Sequence, residues 1–379
     1  MNLYKASQQW ANRPDDERFA NLDEMKQSCD YYRNSSVEGN VAYADLRAMA
    51  VDGEVMLSGT ARTAHLTNWA FGQLATVAGA PAGYLRRLPA ELAAENLNQT
   101  LAKVEGTGRL LAHQNAGDLT LRCLTGANYA RIWNGEIVER LIGLQDDGWR
   151  VPPARPARIG QAGTREATIA DCLTAGDFGL SVQLGDLIAP AGLYASDHDM
   201  FCFLVNETRR IEDGSEGGLS RGFFVSNSEV GGGSLKRTSF LYRHCCGNHI
   251  VWGASNVVET KIIHRGNAGD KFNNEFLVEL RKYADDSASD DEARIVDAKR
   301  TVIAANKEDV IDALFGKKIL PRKDLIAAYD YAEQEETTVA PNTVWGMVQG
   351  VTRLSQDTQF ADERAATDKA AGKILELVF

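Results

Sequence analysis

Four short runs between residues 200 and 253 constrain this chain most: "MFCFLVN", "GFFVSN", "RTSFLYRHCC" and "HIVWG". Alternation and a high content of aromatic or β-branched residues make each a strand. Between the second and third lies "SEVGGGSL", too rich in glycine to be anything but a turn or loop. The fold class that follows is α+β, with a central antiparallel sheet flanked by N-terminal and C-terminal helices.

The flanks carry their own signals. "YADLRAMAVDGEVMLSGTARTAHLT" reads as short strands with a turn at Asp52-Gly53. "LTNWAFGQLATVAGAP" is helical: Thr67 caps it, Ala70, Phe71, Leu74, Val77 and Ala78 recur at helical spacing, and Gly79 with Pro81 ends it. A second helix follows Pro89. "GRLLAHQ" and "LTLRCLTG", separated by "NAGD", have the spacing of a hairpin, and "ARIWNGEIVERLIGL" returns to helical periodicity. The proline-rich "RVPPARPARIGQAG" predicts an exposed, extended loop. Beyond Gly266 the chain is helical and charged. Asn306 caps one helix that Gly316 closes, and Val344, Met347, Val348, Val351 and Leu354 share a face of another. "YADDSASDDEAR" reads as a short acidic linker. The division expected is a polar segment at 1–40, with helical potential in its second half, an α+β core at 41–270 and a helical subdomain at 271–379.

Composition narrows the class of protein. The chain has 379 residues, 44% hydrophobic and 25% charged, which suits a soluble globular protein with a sizeable core. A net charge of -11 argues against a surface coated in cations for duplex DNA. The six cysteines form no CxxC pair, the N-terminus lacks an apolar leader, and no run is long enough to span a membrane. The expectation is a cytoplasmic protein with reduced thiols and no membrane partner. Residues 220–265 stand apart: they carry net +4 and three of the six histidines, in an otherwise acidic chain.

That basic stretch holds most of the candidate chemistry. In "YRHCCGNHIVWG" (242–253), neighbouring Cys245 and Cys246 face opposite sides of a strand, so both cannot turn to one metal. A zinc site would draw on Cys246, His249 and His244 or Cys245, and would need further ligands from His264 or the run Asp197 to Asp199. A nucleophilic Cys246 would need Arg243, His244 and His264 to supply a base and lower its pKa. Asp197 and Asp199 share a face if extended, as a Mg²⁺ or acid–base pair would, and they also suit a plain polar loop. No cofactor is called for, and a divalent metal stays open. "SNSEVGGGSLKR" offers backbone N–H groups, the hydroxyls of Ser226, Ser228 and Ser234, and the charges of Lys236 and Arg237 to a phosphate; it also fits a simple hairpin turn. Tyr129 beside Arg131, and Tyr242 beside Arg243, are the aromatic–cation pairs suited to stacking on bases.

Several of these segments, in this order, resemble a phage- and plasmid-borne family catalogued as a domain of unknown function: "LTNWAFGQLATVAGAPAGYLRRLP", "RCLTGANYARIWNGEIV", "LYASDHDMFCFLVN", "RGFFVSNSEVGGGSLKRTSFLYRHCCGNHIVWGA", "IIHRG" and "NTVWGMVQGVTRLSQD". The signature is Asn227, Ser228, Glu229, Gly231, Arg243, Cys246, Gly247 and Asn248, followed by His264. The resemblance implies a mobile-element protein acting in the cytoplasm of a bacterial host, with no established activity. It fits a purely architectural signature equally, with Glu229 paired to Arg243 in the interior.

Three functions follow, in descending rank. The first is a nucleic-acid-binding protein of phage or plasmid replication or recombination, binding or annealing single strands as a homo-oligomer. The second is a metal-dependent enzyme acting on nucleotides or phosphodiesters through Asp197, Asp199, Glu229, Cys246 and His264. The third is a protein that binds and inhibits a host defence or replication factor. The balance is against catalysis.

Overall fold

The computed structural model describes residues 17–19, 21–59, 62–115, 117–151, 155–156, 165–169, 172, 181–189, 193–211, 218–243, 249–251, 260–285, 289–334, 339–357 and 370–378. The architecture is α+β. Its largest sheet is antiparallel and is built on the runs that dominate the sequence: β11 (Leu193–Ala195), β12 (Met200–Ile211), β13 (Leu219–Asn227), β14 (Leu235–Arg243) and β15 (His249–Val251), in that order. Two short strands extend it, β7 (Trp149–Arg150) against β12 and β16 (Thr260–Ile262) against β14.

All nine residues of β13 are buried, which makes it the sheet's spine. Its register sets Phe203 opposite Phe224 and Gly222 opposite Phe240. Gly222 has to be glycine, because a Cβ there would lie 2.2 Å from the Phe240 ring. One face, with Cys202, Leu204, Phe223, Val225 and Leu235, meets Leu22, Met25, Trp149, Phe272, Phe276 and Tyr283 in one core. Leu219, Leu241 and Ile211 join a second core with the C-terminal helices, around Trp345, Met347, Val348 and Val351.

A smaller sheet stands beside the first. Its strands are β1 (Ser36–Ala42), β5 (Thr107–Asn115), β6 (Asp118–Gly126) and β4 (His65–Leu66), in that order. The helices Asn68–Val77 and Ala90–Leu101 bury Leu74 and Leu97 with Leu110 and Leu121 of this sheet. The hairpin of β2 (Arg47–Val51) and β3 (Glu54–Ser58) turns at Asp52-Gly53, both at positive φ (50° and 81°). That conformation matches the twist of a two-residue hairpin. Three short strands, β8 (Arg155–Pro156), β9 (Arg165–Glu166) and β10 (Leu187–Ala189), form a third sheet.

The helix Leu22–Asn34 (α1), capped by the Asn21 side chain, buries Leu22, Met25 and Cys29 in the main core. The described ends of the acidic segment expected to be a linker are helical, in Leu277–Asp285 and Ser289–Arg300: Tyr283 and Asp291 are buried, and the Arg221 guanidinium lies 3.2 Å from the Asp291 carboxylate. Burial pushes the Tyr283 phenol up to about 12. No helix among the described residues is long and apolar enough to cross a membrane.

Candidate functional site

The segment Asn227-Ser228-Glu229 leaves the end of β13 and reaches into the seam between the two larger sheets. Asn227 donates to the Ile132 carbonyl (3.0 Å) and to Asn134 Oδ1 (2.8 Å). Glu229 accepts from the Asn134 backbone N–H (2.7 Å), the first residue of the helix Asn134–Ile142 (α2). A carboxylate there meets unsatisfied N–H groups and the positive end of the helix dipole. Its other oxygen lies 3.1 Å from Arg122 of β6, and both side chains are almost wholly buried.

The sequence pattern had paired Glu229 with Arg243; the structure pairs it with Arg122, and Arg243 lies in β14 opposite His249. Arg122 also donates to the Asp197 carbonyl (3.0 Å) and lies over the Tyr32 ring. Its Nε and Nη1 have no hydrogen-bond partner. The one hint of this in the sequence is an arginine inside the otherwise uncharged strand "LTLRCLTG".

Around this pair the loop is tied inward. Ser228 Oγ donates to the His198 carbonyl (2.7 Å) and accepts from the Gly232 N–H (2.9 Å). Tyr129 Oη donates to the Ser228 carbonyl (2.7 Å) and accepts from the Gly231 N–H (3.1 Å). Trp69 and Gln73 both donate to the Val230 carbonyl (2.9 and 2.8 Å). The N–H groups of Gly231 and Gly232 are therefore engaged within the protein, as the hairpin-turn reading of this loop has it and the phosphate reading does not. The two glycines have packing reasons as well. Gly231 sits at φ 86°, and a Cβ at Gly232 would lie 2.6 Å from His198 Nε2.

The other candidates divide by burial. Ser228 and Arg237 are each 2% exposed, and Arg237 lies over the Tyr283 ring, so neither faces solvent. Arg131 is clamped between the Tyr129 and Trp133 rings, with its Nε 2.8 Å from Glu38 and a further bond to the Glu229 carbonyl. It is a buried strut and not an exposed stacking partner. Tyr129 is held on its other side by His264, the rings stacked 5.1 Å apart, and burial raises its pKa. His264 Nδ1 donates to the Ala130 carbonyl (3.1 Å), and burial lowers its pKa.

Asp199 is buried and accepts from Ser196 Oγ (3.0 Å), while Asp197 is half-buried at a bend beside it. The two do not share a strand face. Lys236 and Ser234 are half-buried. Cys246 and Asn248 of the signature, with the neighbouring His244 and Cys245, lie outside the described residues. Among the described residues no three His, Cys, Asp or Glu side chains converge to hold a metal.

Two clefts open on either side of the glycine loop and share Gly126 and Gly231 in their walls. The larger, about 870 Å³, is lined by Tyr43, Trp69, Gln73, Arg86, Asp197 and His198, among others. The smaller, about 420 Å³, is lined by Asn128, Tyr129, Ser234, Ile263, His264 and Arg265. Arg86 of the first cleft and Arg265 of the second are exposed, as are Tyr84, Arg87 and Lys261. Trp69 meets the His198 ring edge-on at 4.3 Å. Arg86, Trp69 and Arg265 had not been singled out from the sequence as site residues. Compared with protein-family models, curated proteins and solved structures, the chain matches none of them.

Proposed function

We propose that the protein binds single-stranded nucleic acid in the groove made by these two clefts, as part of phage or plasmid replication or recombination. The observation that carries this is the placing of rings beside cations. Trp69 and Tyr43 line the larger cleft together with the exposed Arg86, the exposed Arg265 lines the smaller, and Arg87 and Lys261 add exposed charge. A single strand needs both: aromatic surface for unstacked bases and cations along its phosphates. The net charge of -11 supports a local groove over a broad cationic surface. The mobile-element context rests on the family resemblance of the sequence.

In this proposal the contacts move from the buried Ser228, Arg131 and Arg237 to the exposed rim, and Asn227, Ser228 and Glu229 act as the brace beneath the groove floor. Fluorescence anisotropy with labelled single strands and duplexes, in low and high salt, tests it. Single strands bind, and affinity falls steeply with salt as counterions are released. Charge reversal at Arg86 with Arg87, or at Lys261 with Arg265, weakens binding in a chain that still folds. Absence of binding by the wild type at low salt, or no effect of either reversal, sinks the proposal.

A further inference from the structure

The first strand of the smaller sheet has a free edge. β1 pairs with β5 over its whole length, Ser36 opposite His113 through Ala42 opposite Thr107, and among the described residues nothing pairs with its other side. The hydrogen bonds at its ends fix which groups face outward. The Gln114 N–H donates to the Ser35 carbonyl, and the Tyr43 N–H donates to the Gly106 carbonyl. In an antiparallel ladder such pairs alternate, so odd-numbered residues direct their main-chain groups at β5. The N–H and C=O groups of Ser36, Glu38, Asn40 and Ala42 therefore point away from the sheet.

The strand itself lacks the usual protections of such an edge. β1 contains no proline and no lysine, and its pairing has no bulge. Its one charge, Glu38, is already held by Arg109 (3.2 Å) and Arg131 (2.8 Å). Residues Val37 to Asn40 are exposed, and Val37 keeps half its surface in solvent.

We infer that β1 is a dimerisation edge, and that its partner is the β1 of a second copy, antiparallel about a two-fold axis at Gly39. This register uses all seven residues. It sets Gly39 against Gly39, Glu38 against Asn40, Val37 against Val41 and Ser36 against Ala42. The even-numbered residues then meet even-numbered ones, which is the match the outward-facing groups require. Shifting the axis to Glu38 would set two carboxylates opposite each other; shifting it to Asn40 would leave Ser36 and Val37 beyond the strand end. At Gly39 the two backbones meet in a non-hydrogen-bonded pair, and the space where a Cβ would stand is open. Two four-stranded sheets become one of eight strands. The inference stands apart from the groove and does not depend on it.

Two measurements on the full chain test it. Sedimentation over a range of concentrations gives a dimer for the wild type, and Asn40→Pro shifts it to monomer, because the lost N–H points outward and the β5 ladder is untouched. Circular dichroism checks that this variant folds. In the second, Gly39→Cys cross-links to itself under mild oxidation, above the wild-type background, since a non-hydrogen-bonded pair sets its Cα atoms about 4.5 Å apart, within disulfide reach. Val37→Cys, which would face Val41, does not. A wild type that stays monomeric with no Gly39→Cys dimer overturns the inference. So does a dimer that survives in a folded Asn40→Pro chain, or one that cross-links Val37→Cys as readily as Gly39→Cys.

Discussion

At Glu229 one carboxylate serves two partners, the Arg122 guanidinium and the first N–H of the helix Asn134–Ile142. Removing either charge leaves the other buried and uncompensated. Glu229→Gln or Arg122→Met should each cost about 3–5 kcal/mol, read as a shift in the urea midpoint. Replacing both by apolar residues should cost less than the two single changes summed. His264 gives a pH signature. Burial, with Arg131 nearby, holds its folded pKa below the ordinary 6.5, so the unfolded chain takes up the proton more readily. Stability is then full above that value and is lost as pH falls through it. A folded His264→Gln chain should show a shallower loss of melting temperature between about pH 7 and pH 5. An unchanged slope would mean that His264 does not carry the effect.

Among the helices and turns, what depends on neighbouring residues could be read directly. Thr67 accepts from the Ala70 N–H and Asn306 from the Asp309 N–H, as their positions ahead of apolar periodic runs imply. Thr67→Ala should cost about 1 kcal/mol, measured by chemical unfolding. The Asp52-Gly53 turn and the strands of the largest sheet follow from composition and alternation in the same way. What depends on distant partners could not be read. Glu229 and Arg122 are 107 positions apart, and nothing local says which arginine meets which carboxylate. The acidic run near Asp291 looked like a solvated linker because Arg221, which lies beside it, belongs to another element. The glycine loop fits an anion cradle as well as a hairpin turn in sequence, because sequence does not tell which way an N–H points. Gly232→Ala tests that loop: a methyl against His198 Nε2 forces a shift, and the melting temperature should fall although position 232 is exposed. A wild-type melting temperature would mean that the loop is loosely held.

Across the protein, the basic stretch of 220–265 divides into two roles. Arg221 and Arg237 are buried against Tyr283, where they help to join the largest sheet to the helix Leu277–Asp285. Lys261 and Arg265 are exposed, and Arg265 borders the smaller cleft. Regional charge in the sequence could not separate the two, because both kinds of arginine sit in short strands and their edges. The signature segment braces the seam between the sheets, and the clefts open above it, so the brace and the groove are neighbours with different demands. Changes in the brace should lower stability first, and changes on the rim should lower binding alone.

The most direct measurement is photo-cross-linking of a single-stranded oligonucleotide carrying a halogenated pyrimidine, with the linked peptides mapped by mass spectrometry. The groove predicts links at Tyr43 and Trp69, suppressed by high salt and by charge reversal at Lys261 and Arg265. Links confined to the C-terminal helices Ser289–Arg300 to Val344–Asp357, or none at low salt, would contradict it.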